Sequence, residues 1–512
     1  MLTDVTTNLE LLDASTTESR AATILIGLGF TQSMMDSPFK SLSGGWRSRC
    51  ALATSLLVQS DILVLDEPSN FLDLEATIWL EQFLTQQDRT LVLTSHDQVF
   101  LNNVVDETII LREKTLKYFQ GTPRAFEIDS RKRRKTAIKQ QGALDKKKEH
   151  IEQSISQGFS VGKKTGDDNR VRMAKSRQKK LDERWGAERS AKGTRFKLNR
   201  DFGGYHLTNR GAIHIEDFEP KVRIKLPQPE KLRTLGDLVH FDKVTFRYPR
   251  AEKPLVEDVT LTIQQGGRCV FVGANGQGKS TLAKLILGEL SPSKGTIVRH
   301  PLLKIGYFSQ HSVEELSSVP DNKTALQYFL DHFEQKGDRV SETEAMACLG
   351  TFGIGGRISS DAPLKMLSGG QKVRLAFALI VFRPPPLLLL DEVTTHVDAP
   401  TIQGLARALR NYSGGVILVT HDRWFSRVVV EGCSLHSAGA FGDDDGEDSD
   451  SSASSSDEED EEAPGGLGQT FYVGSGKVKL LEQGMTQYIS MVERKLEKRR
   501  RAAEARAAKK GG

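Results

Sequence analysis

The sequence predicts an α/β chain of two related phosphate-handling domains, the first incomplete, joined by a basic helical connection. Three observations carry this expectation. The run Gly273-Ala274-Asn275-Gly276-Gln277-Gly278-Lys279-Ser280-Thr281 lies between an apolar strand-like stretch and a helix-like one. A set of short motifs occurs twice: Leu42-Ser43-Gly44-Gly45, an apolar run ending in Asp66-Glu67, and His96; then Leu367-Ser368-Gly369-Gly370-Gln371, an apolar run ending in Asp391-Glu392, and His421. No glycine-lysine loop precedes the first set, so the chemistry is expected at one asymmetric site.

A chain of 512 residues exceeds a single core and fits two domains plus connections. Its hydrophobic content of 38% is low for a compact protein, so sizeable solvated stretches are expected. Cys50, Cys269, Cys348 and Cys433 are far apart, which indicates neither a disulfide framework nor a zinc site. No apolar run approaches the roughly 20 residues that cross a bilayer, and the N-terminus lacks a signal pattern. A soluble intracellular protein in a reducing compartment is expected, cytoplasmic by default with the nucleus and the mitochondrion left open. The net charge of +4 hides segregation: residues 131–197 hold 22 Lys or Arg against 8 Asp or Glu, whereas 443–462 is almost entirely Asp, Glu and Ser. The basic block can attract a polyanion.

Taken in order, residues 1–118 read as the latter half of an α/β domain. A helix follows Ser43-Gly44-Gly45, and the apolar runs 62–65 and 90–95 suit buried strands. Residues 119–236 form the basic linker, helical in pattern over 132–157 and 170–189 and broken by Gly, Lys and Asp at 162–168. No broad apolar stripe marks these helices, so a solvated spacer is the competing reading. The second domain spans 237–492: strand-like alternation at 241–248, a strand over 269–273 feeding the glycine loop, and a helix over 280–290. An acidic insert at about 440–466 cannot bury enough apolar surface to fold. The tail 493–512 is basic and reads as a frayed surface helix.

The glycine loop matches G-x-x-x-x-G-K-[ST] in the strand-then-helix context that the motif requires. Its backbone N–H groups converge on phosphate oxygens and the helix N-terminus adds its dipole. Lys279 reaches the outer phosphates, Ser280 can ligate Mg²⁺, and Thr281 continues the same helix start. Asp391, after four leucines, should end a buried strand beside the loop and hold Mg²⁺. Glu392 then points toward the terminal phosphate and can polarise water, and His421 can contact that phosphate. Gln310, after Tyr307-Phe308-Ser309, can bridge metal and water. Alone, His421 and Gln310 would read as ordinary structural residues; they gain weight as members of an ordered set.

The order of loop, glutamine, LSGGQ, LLLLDE and THD resembles an ATP-binding cassette. Two cassettes in one chain, no membrane span and a basic helical linker resemble the ABC-F family of soluble, translation-associated ATPases. Leu42-Ser43-Gly44-Gly45-Trp46-Arg47 and Asp66-Glu67-Pro68-Ser69-Asn70-Phe71-Leu72-Asp73 are similar to that family's first cassette. The resemblance implies ATP and Mg²⁺ as ligands, ATP hydrolysis at a composite site, and action on the ribosome, with ribosomal RNA or tRNA met by linker 131–197. It implies that Tyr248 stacks on adenine. It also implies that cassettes work head to tail, so that Ser43, Gly44 and Gly45 close over the second loop while Asp66, Glu67 and His96 stay idle.

The chain departs from the family pattern at three places. Val393 and Thr395 replace the usual proline and asparagine, which predicts a looser turn after Glu392. The acidic insert is outside the family core. Met1 falls inside the helical subdomain of the first cassette, so a truncated cassette is expected, with apolar strand surface that a partner chain or upstream segment would cover. One nucleotide per chain follows. The rival readings are a non-hydrolytic ATP-dependent ribosome-binding scaffold, an inactive truncated gene product, and the motor subunit of a transporter, which would leave the linker without a purpose.

Overall fold

The computed structural model describes residues 14–70, 72–112, 114–184, 222, 224–230, 232, 236–249, 251, 253–309, 312–317, 323–395, 397–434 and 468–510. Contacts divide the chain into two units, Met1–Val104 with Lys221–Gly512, and Val105–Pro220. The acidic insert and Gln310 lie outside the described residues.

The N-terminal part of the first unit begins with helix α1 (Ala14–Gly27), followed by α2 (Gly44–Leu57), β1 (Ile62–Asp66), α3 (Leu74–Thr85), β2 (Thr90–Thr94) and α4 (Gln98–Val104). Strands β1 and β2 pair in parallel, Leu63 opposite Leu91 and Leu65 opposite Leu93. Leu63 and Leu65 join Ile24, Leu28, Leu56, Leu80 and Phe100 in one core. The unbroken apolar runs predict burial on both faces, but burial alternates along β1: Ile62, Val64 and Val92 are exposed, because nothing among the described residues packs on the other face of the pair.

The second unit holds an antiparallel hairpin, β3 (Glu107–Arg112) and β4 (Thr115–Gln120), and two helices, α5 (Pro123–Thr165) and α6 (Asp168–Arg184). Thr122 caps α5 by accepting from Ala125 N–H, and Pro123 sits where its missing N–H costs nothing. Gly166 ends α5 at φ 66°, a left-handed position that favours glycine. The helices pack through a narrow seam of Ile151, Ile155, Phe159, Ala174 and Leu181. The seam is tight because Gly158 and Gly162 face Ala174 and Val171; a Cβ on Gly162 would lie 2.8 Å from Val171 Cγ2. A charged helix pair thus holds together on a few apolar residues spaced by four and seven.

The C-terminal part of the first unit carries a six-stranded sheet in the order β13-β12-β7-β11-β10-β9. Its strands are β7 (Arg268–Val272), β9 (Ile305–Phe308), β10 (Leu387–Asp391), β11 (Gly415–Val419), β12 (Gln469–Gly474) and β13 (Lys477–Leu481). All pairings are parallel except β12 with β13. β10 and β11 are buried at every position, which explains why both read as unbroken apolar runs. A three-stranded antiparallel sheet of β5 (Asp237–Phe246), β6 (Val256–Gln264) and β8 (Lys294–Arg299) packs on one face. The other face carries α8 (Ala325–Gln335), α9 (Glu342–Thr351), α10 (Gly369–Val381), α11 (Ala399–Arg410) and α12 (Arg423–Val429).

The last helix, α13 (Gly484–Lys510), begins ahead of the expected tail and is anchored through its first turns, while from 493 to 501 Leu496 alone is buried and the rest is exposed helix. Met485, Tyr488, Ile489, Val492 and Leu496 are buried in a core that also contains Leu74, Ile78 and Val99 of the N-terminal half. The two halves of the first unit therefore share a hydrophobic core.

Candidate nucleotide-binding site

The carboxyl ends of β7, β10 and β11 converge, and the segments leaving them make the site. After β7 the chain turns through the glycine loop into α7 (Lys279–Leu287). Gly273 has no substitute there: a Cβ would lie 2.1 Å from the carbonyl oxygen of Val473 on β12. Gly276 and Gly278 adopt φ 78° and 102°, so the backbone can fold its N–H groups toward one point.

Lys279 is buried, and its Nζ donates to the carbonyls of Gly273 at 2.7 Å and Ala274 at 3.3 Å. The same ammonium lies 3.0 Å from His421 Nε2. Burial lowers the Lys279 pKa, and the carboxylates of Glu392, Asp73 and Asp391 oppose that shift. A cation held inward on neutral carbonyls, beside carboxylates that are themselves largely buried, is a ready partner for phosphate oxygens.

Asp391 closes β10 in a buried position, and Glu392 follows at φ 53°. That conformation is the same as that of Glu67 in the first motif set, at φ 47°. Glu392 N–H donates to Val419 O at 2.8 Å, as Glu67 N–H donates to Thr94 O at 3.0 Å. The turn behind each is closed by one backbone bond, Thr395 N–H to Glu392 O at 3.3 Å and Asn70 N–H to Glu67 O at 3.2 Å. The looser turn expected from Val393 and Thr395 is not found, because backbone bonds rather than proline or asparagine side chains set its shape. Burial pushes the Glu392 carboxyl up to about 7, against the pull of Lys279 and with help from Asp391 and Asp422.

His421 Nε2 lies 3.0 Å from Asn275 Oδ1 and 3.5 Å from Glu392 Oε1. Burial, then the Lys279 charge, depresses its pKa to about 3, so the imidazole is neutral at physiological pH. Tyr248 projects from just beyond β5, half-exposed, with its hydroxyl 3.1 Å from Thr281 Oγ1. Its ring stands edge-on to Phe246, 4.9 Å between centroids. Ser280 is exposed at the start of α7.

The N-terminal half reaches this loop. Asp73 caps α3 by accepting from Ala76 N–H at 3.1 Å, and its second oxygen accepts from the Asn275 N–H at 3.1 Å. Arg49, one and a half turns into α2, lies 3.9 Å from Asp73, donates to Leu28 O at 2.9 Å and covers the Trp46 ring at 4.6 Å. Ser43 and Gly44 stand exposed at the tip of the same helix. Ser43 makes no side-chain cap, whereas Ser368 and Gln371 form a reciprocal capping box in the second copy. Trp46, at the position of Gln371, has no acceptor to return such a bond; it packs on Phe30 instead. In the N-terminal copy, His96 lies 3.7 Å from Glu67, and a lysine-bearing loop is absent among the described residues.

The family model for ABC transporters matches residues 2–70 and 256–395, one stretch in each half. ABC transporter F family member 2 of Dictyostelium discoideum is 37% identical over 432 residues, which cover 84% of this chain and 67% of that protein. The chain belongs to the ABC transporter F family. Other ABC-F relatives agree: ATP-binding cassette sub-family F member 3 of Homo sapiens is 35% identical, covering 84% of this chain and 54% of that protein. The ABC transporter ATP-binding protein ARB1 of Saccharomyces cerevisiae is 35% identical, covering 81% and 62%. This ABC-F chain thus spans about half to two thirds of the length of the curated relatives it matches. Among solved structures, the RNase-L Inhibitor aligns at TM-score 0.51 and 16% identity over 92% of this chain and 71% of that one. An archaeal ribosome recycling factor, aABCE1, solved in complex with the ribosomal stalk protein aP1, aligns at TM-score 0.50 and 15% identity over the same shares. These likenesses show the fold, an α/β architecture of cassette domains of the P-loop type.

Asp73 and Arg49 are the site-facing residues of this ABC-F chain that motif reading passes over. Their signal is the internal repeat: Ser43, Arg49, Asp66, Asp73 and His96 each recur 325 positions later as Ser368, Arg374, Asp391, Asp398 and His421. Residues at matched offsets in a head-to-tail pair are candidates for contact across it. No helix among the described residues is long and apolar enough to cross a membrane.

Proposed function

We propose that the chain binds and hydrolyses Mg-ATP at one composite site and acts in translation or ribosome assembly through its basic linker. The observation that carries this reading is the Asp73 carboxylate on the Asn275 N–H, which brings the N-terminal half onto the phosphate loop of the C-terminal half. Lys279 and the loop amides of residues 273–281 bind the triphosphate, Tyr248 stacks on adenine, and Ser43, Gly44 and Gly45 close over the nucleotide. The chemistry of the donors fits a magnesium ion: the Ser280 hydroxyl and the Asp391 carboxylate are hard oxygens, and the amide oxygen of Gln310 is the third that the sequence motif supplies. Bound there, the metal supplies charge neutralisation for the phosphates. Glu392, whose pKa is raised to about 7, is the base that directs water. Neutral His421 donates its ring N–H to the terminal phosphate without adding charge.

Closure of the halves is relayed along the chain to the helical hairpin of α5 and α6, whose basic surface meets ribosomal RNA or tRNA in the cytoplasm. The exposed face of β1 and β2 is read as surface that a partner chain or another segment covers. Equilibrium binding is expected to give one ATP per chain, and phosphate release is expected to rise with ribosomes. Two nucleotides per monomer would sink the single-site reading. A non-hydrolytic scaffold is the second reading, resting on the changed side chains of Val393 and Thr395 alone, since the turn after Glu392 keeps the backbone shape of the first copy; tight ATP binding with no phosphate release, with or without ribosomes, would establish it.

A further inference from the structure

Helix α3 of the N-terminal half touches the C-terminal half at three levels. Asp73, its cap, meets Asn275; Glu75 accepts from Lys495 Nζ of α13 at 2.5 Å; and Glu81, two turns further on, pairs with Arg423. The third contact is buried on both sides. Arg423 Nη2 donates to Glu81 Oε1, Nη1 lies 3.4 Å from Oε2, and Asn103 Nδ2 donates to the same Oε2 at 3.0 Å. Burial would lower the Arg423 pKa, but Asp97 and Glu81 outweigh it and hold the guanidinium charged.

The internal repeat makes this contact one-sided. The position 325 residues after Glu81 is Ala406, and the position 325 before Arg423 is Gln98, a pair that cannot form a salt bridge. The ion pair therefore exists only beside the half that carries the phosphate loop. Arg423 follows His421 by two residues and opens α12, and the turn between them is rigid: Asp422 N–H donates to Thr420 Oγ1 at 3.1 Å and Phe425 N–H to Asp422 Oδ1 at 2.9 Å. Displacing Arg423 must drag that turn, and with it His421 Nε2 from Lys279 and Asn275.

We propose that Glu81 is a positioning residue acting from the opposite half: through Arg423 it fixes the His421 turn against the phosphate loop. This rests on the reading of that loop as an ATPase site. Without Glu81 the guanidinium keeps the charge of Asp97 and Asp422 but loses the two-oxygen fork that fixes its position, so it shifts toward those remaining carboxylates and the turn shifts with it.

The test compares wild type, Glu81→Gln, Arg423→Gln and the double variant in the full chain. Turnover, affinity for a fluorescent ATP analogue, and amide hydrogen exchange are measured for each. Glu81→Gln is expected to lower kcat about tenfold while the analogue's Kd stays within about twofold. Exchange over residues 420–426 is expected to speed up about tenfold with residues 279–287 unchanged. The double variant should be no slower than the worse single one, since the two groups act through each other. Arg423→Lys keeps the charge but loses the fork, and about a threefold loss is expected should the glutamine variants unfold. Unchanged exchange over 420–426 in Glu81→Gln, or additive losses in the double variant, overturns the proposal. Absence of turnover in wild type sinks the ATPase reading alone, and the exchange measurement still decides the role of Glu81.

Discussion

Glu392 has to be charged to act as a base, yet its surroundings favour the protonated form up to a pH of about 7. A carboxyl whose pKa is higher folded than unfolded takes stability away as pH rises from the unfolded value near 4.5 through 7. Glu392→Gln removes that cost. The variant is expected to be more stable than wild type at pH 8, by at most about 3 kcal/mol, with the difference vanishing below about pH 4; urea unfolding at the two pH values checks it. The same substitution should trap ATP and abolish turnover, and wild-type turnover in the variant would remove the assigned role. His421 works in the opposite direction. Its folded pKa is depressed to about 3, so it takes stability away as pH falls from 6.5 toward 3. Asp73 was visible in the sequence only as the end of a motif. Its two bonds, to Ala76 and Asn275, depend on how α3 is docked. Asp73→Ala is expected to cost about 2–3 kcal/mol in urea unfolding, from a lost cap and the loss of one counter-charge beside the buried Arg49.

At the scale of elements, the loop after β7 shows why glycines in one motif are not equivalent. Gly273 lies against Val473 O, so a methyl group forces β7 and β12 apart, whereas Gly276 has open space and only a left-handed φ of 78° to defend. Gly273→Ala is expected to weaken ATP binding at least about tenfold, and Gly276→Ala by roughly 1 kcal/mol, the ordinary cost of that conformation; fluorescent-nucleotide titration separates the two. The strands β7, β10 and β11 were legible from their unbroken apolar runs, since burial on both faces leaves no polar positions. The seam between α5 and α6 was not legible. Five apolar residues in a strongly basic background give too weak a period, and what closes the seam is the small size of Gly158 and Gly162. Ile155→Ala is expected to reduce the helical hairpin's stability by about 2–3 kcal/mol, read as lost protection in hydrogen exchange over 151–181.

At the scale of the whole molecule, charge and chemistry sit in different units. The surplus of Lys and Arg over 131–197 lies in the unit of α5 and α6, and the phosphate loop lies in the other. RNA binding through the linker should therefore be electrostatic and separable from ATP binding. Its affinity is expected to fall by about two orders of magnitude or more between 50 and 200 mM salt, through counterion release. ATP affinity of Lys279→Ala should collapse while the salt slope for RNA stays the same; filter binding at several salt concentrations distinguishes them.

The sequence alone determined that this chain carries two related cassette-like halves, only one with a phosphate loop in view, because strand burial and loop chemistry are written in contiguous residues. It also marked Lys279, Asp391, Glu392 and His421 as one set through their order. Only the tertiary structure decided that Asp73 meets Asn275 and Glu81 meets Arg423. Contacts across two halves separated by some two hundred to three hundred and forty residues depend on how α3 and α13 pack into a shared core, and no local pattern records that packing.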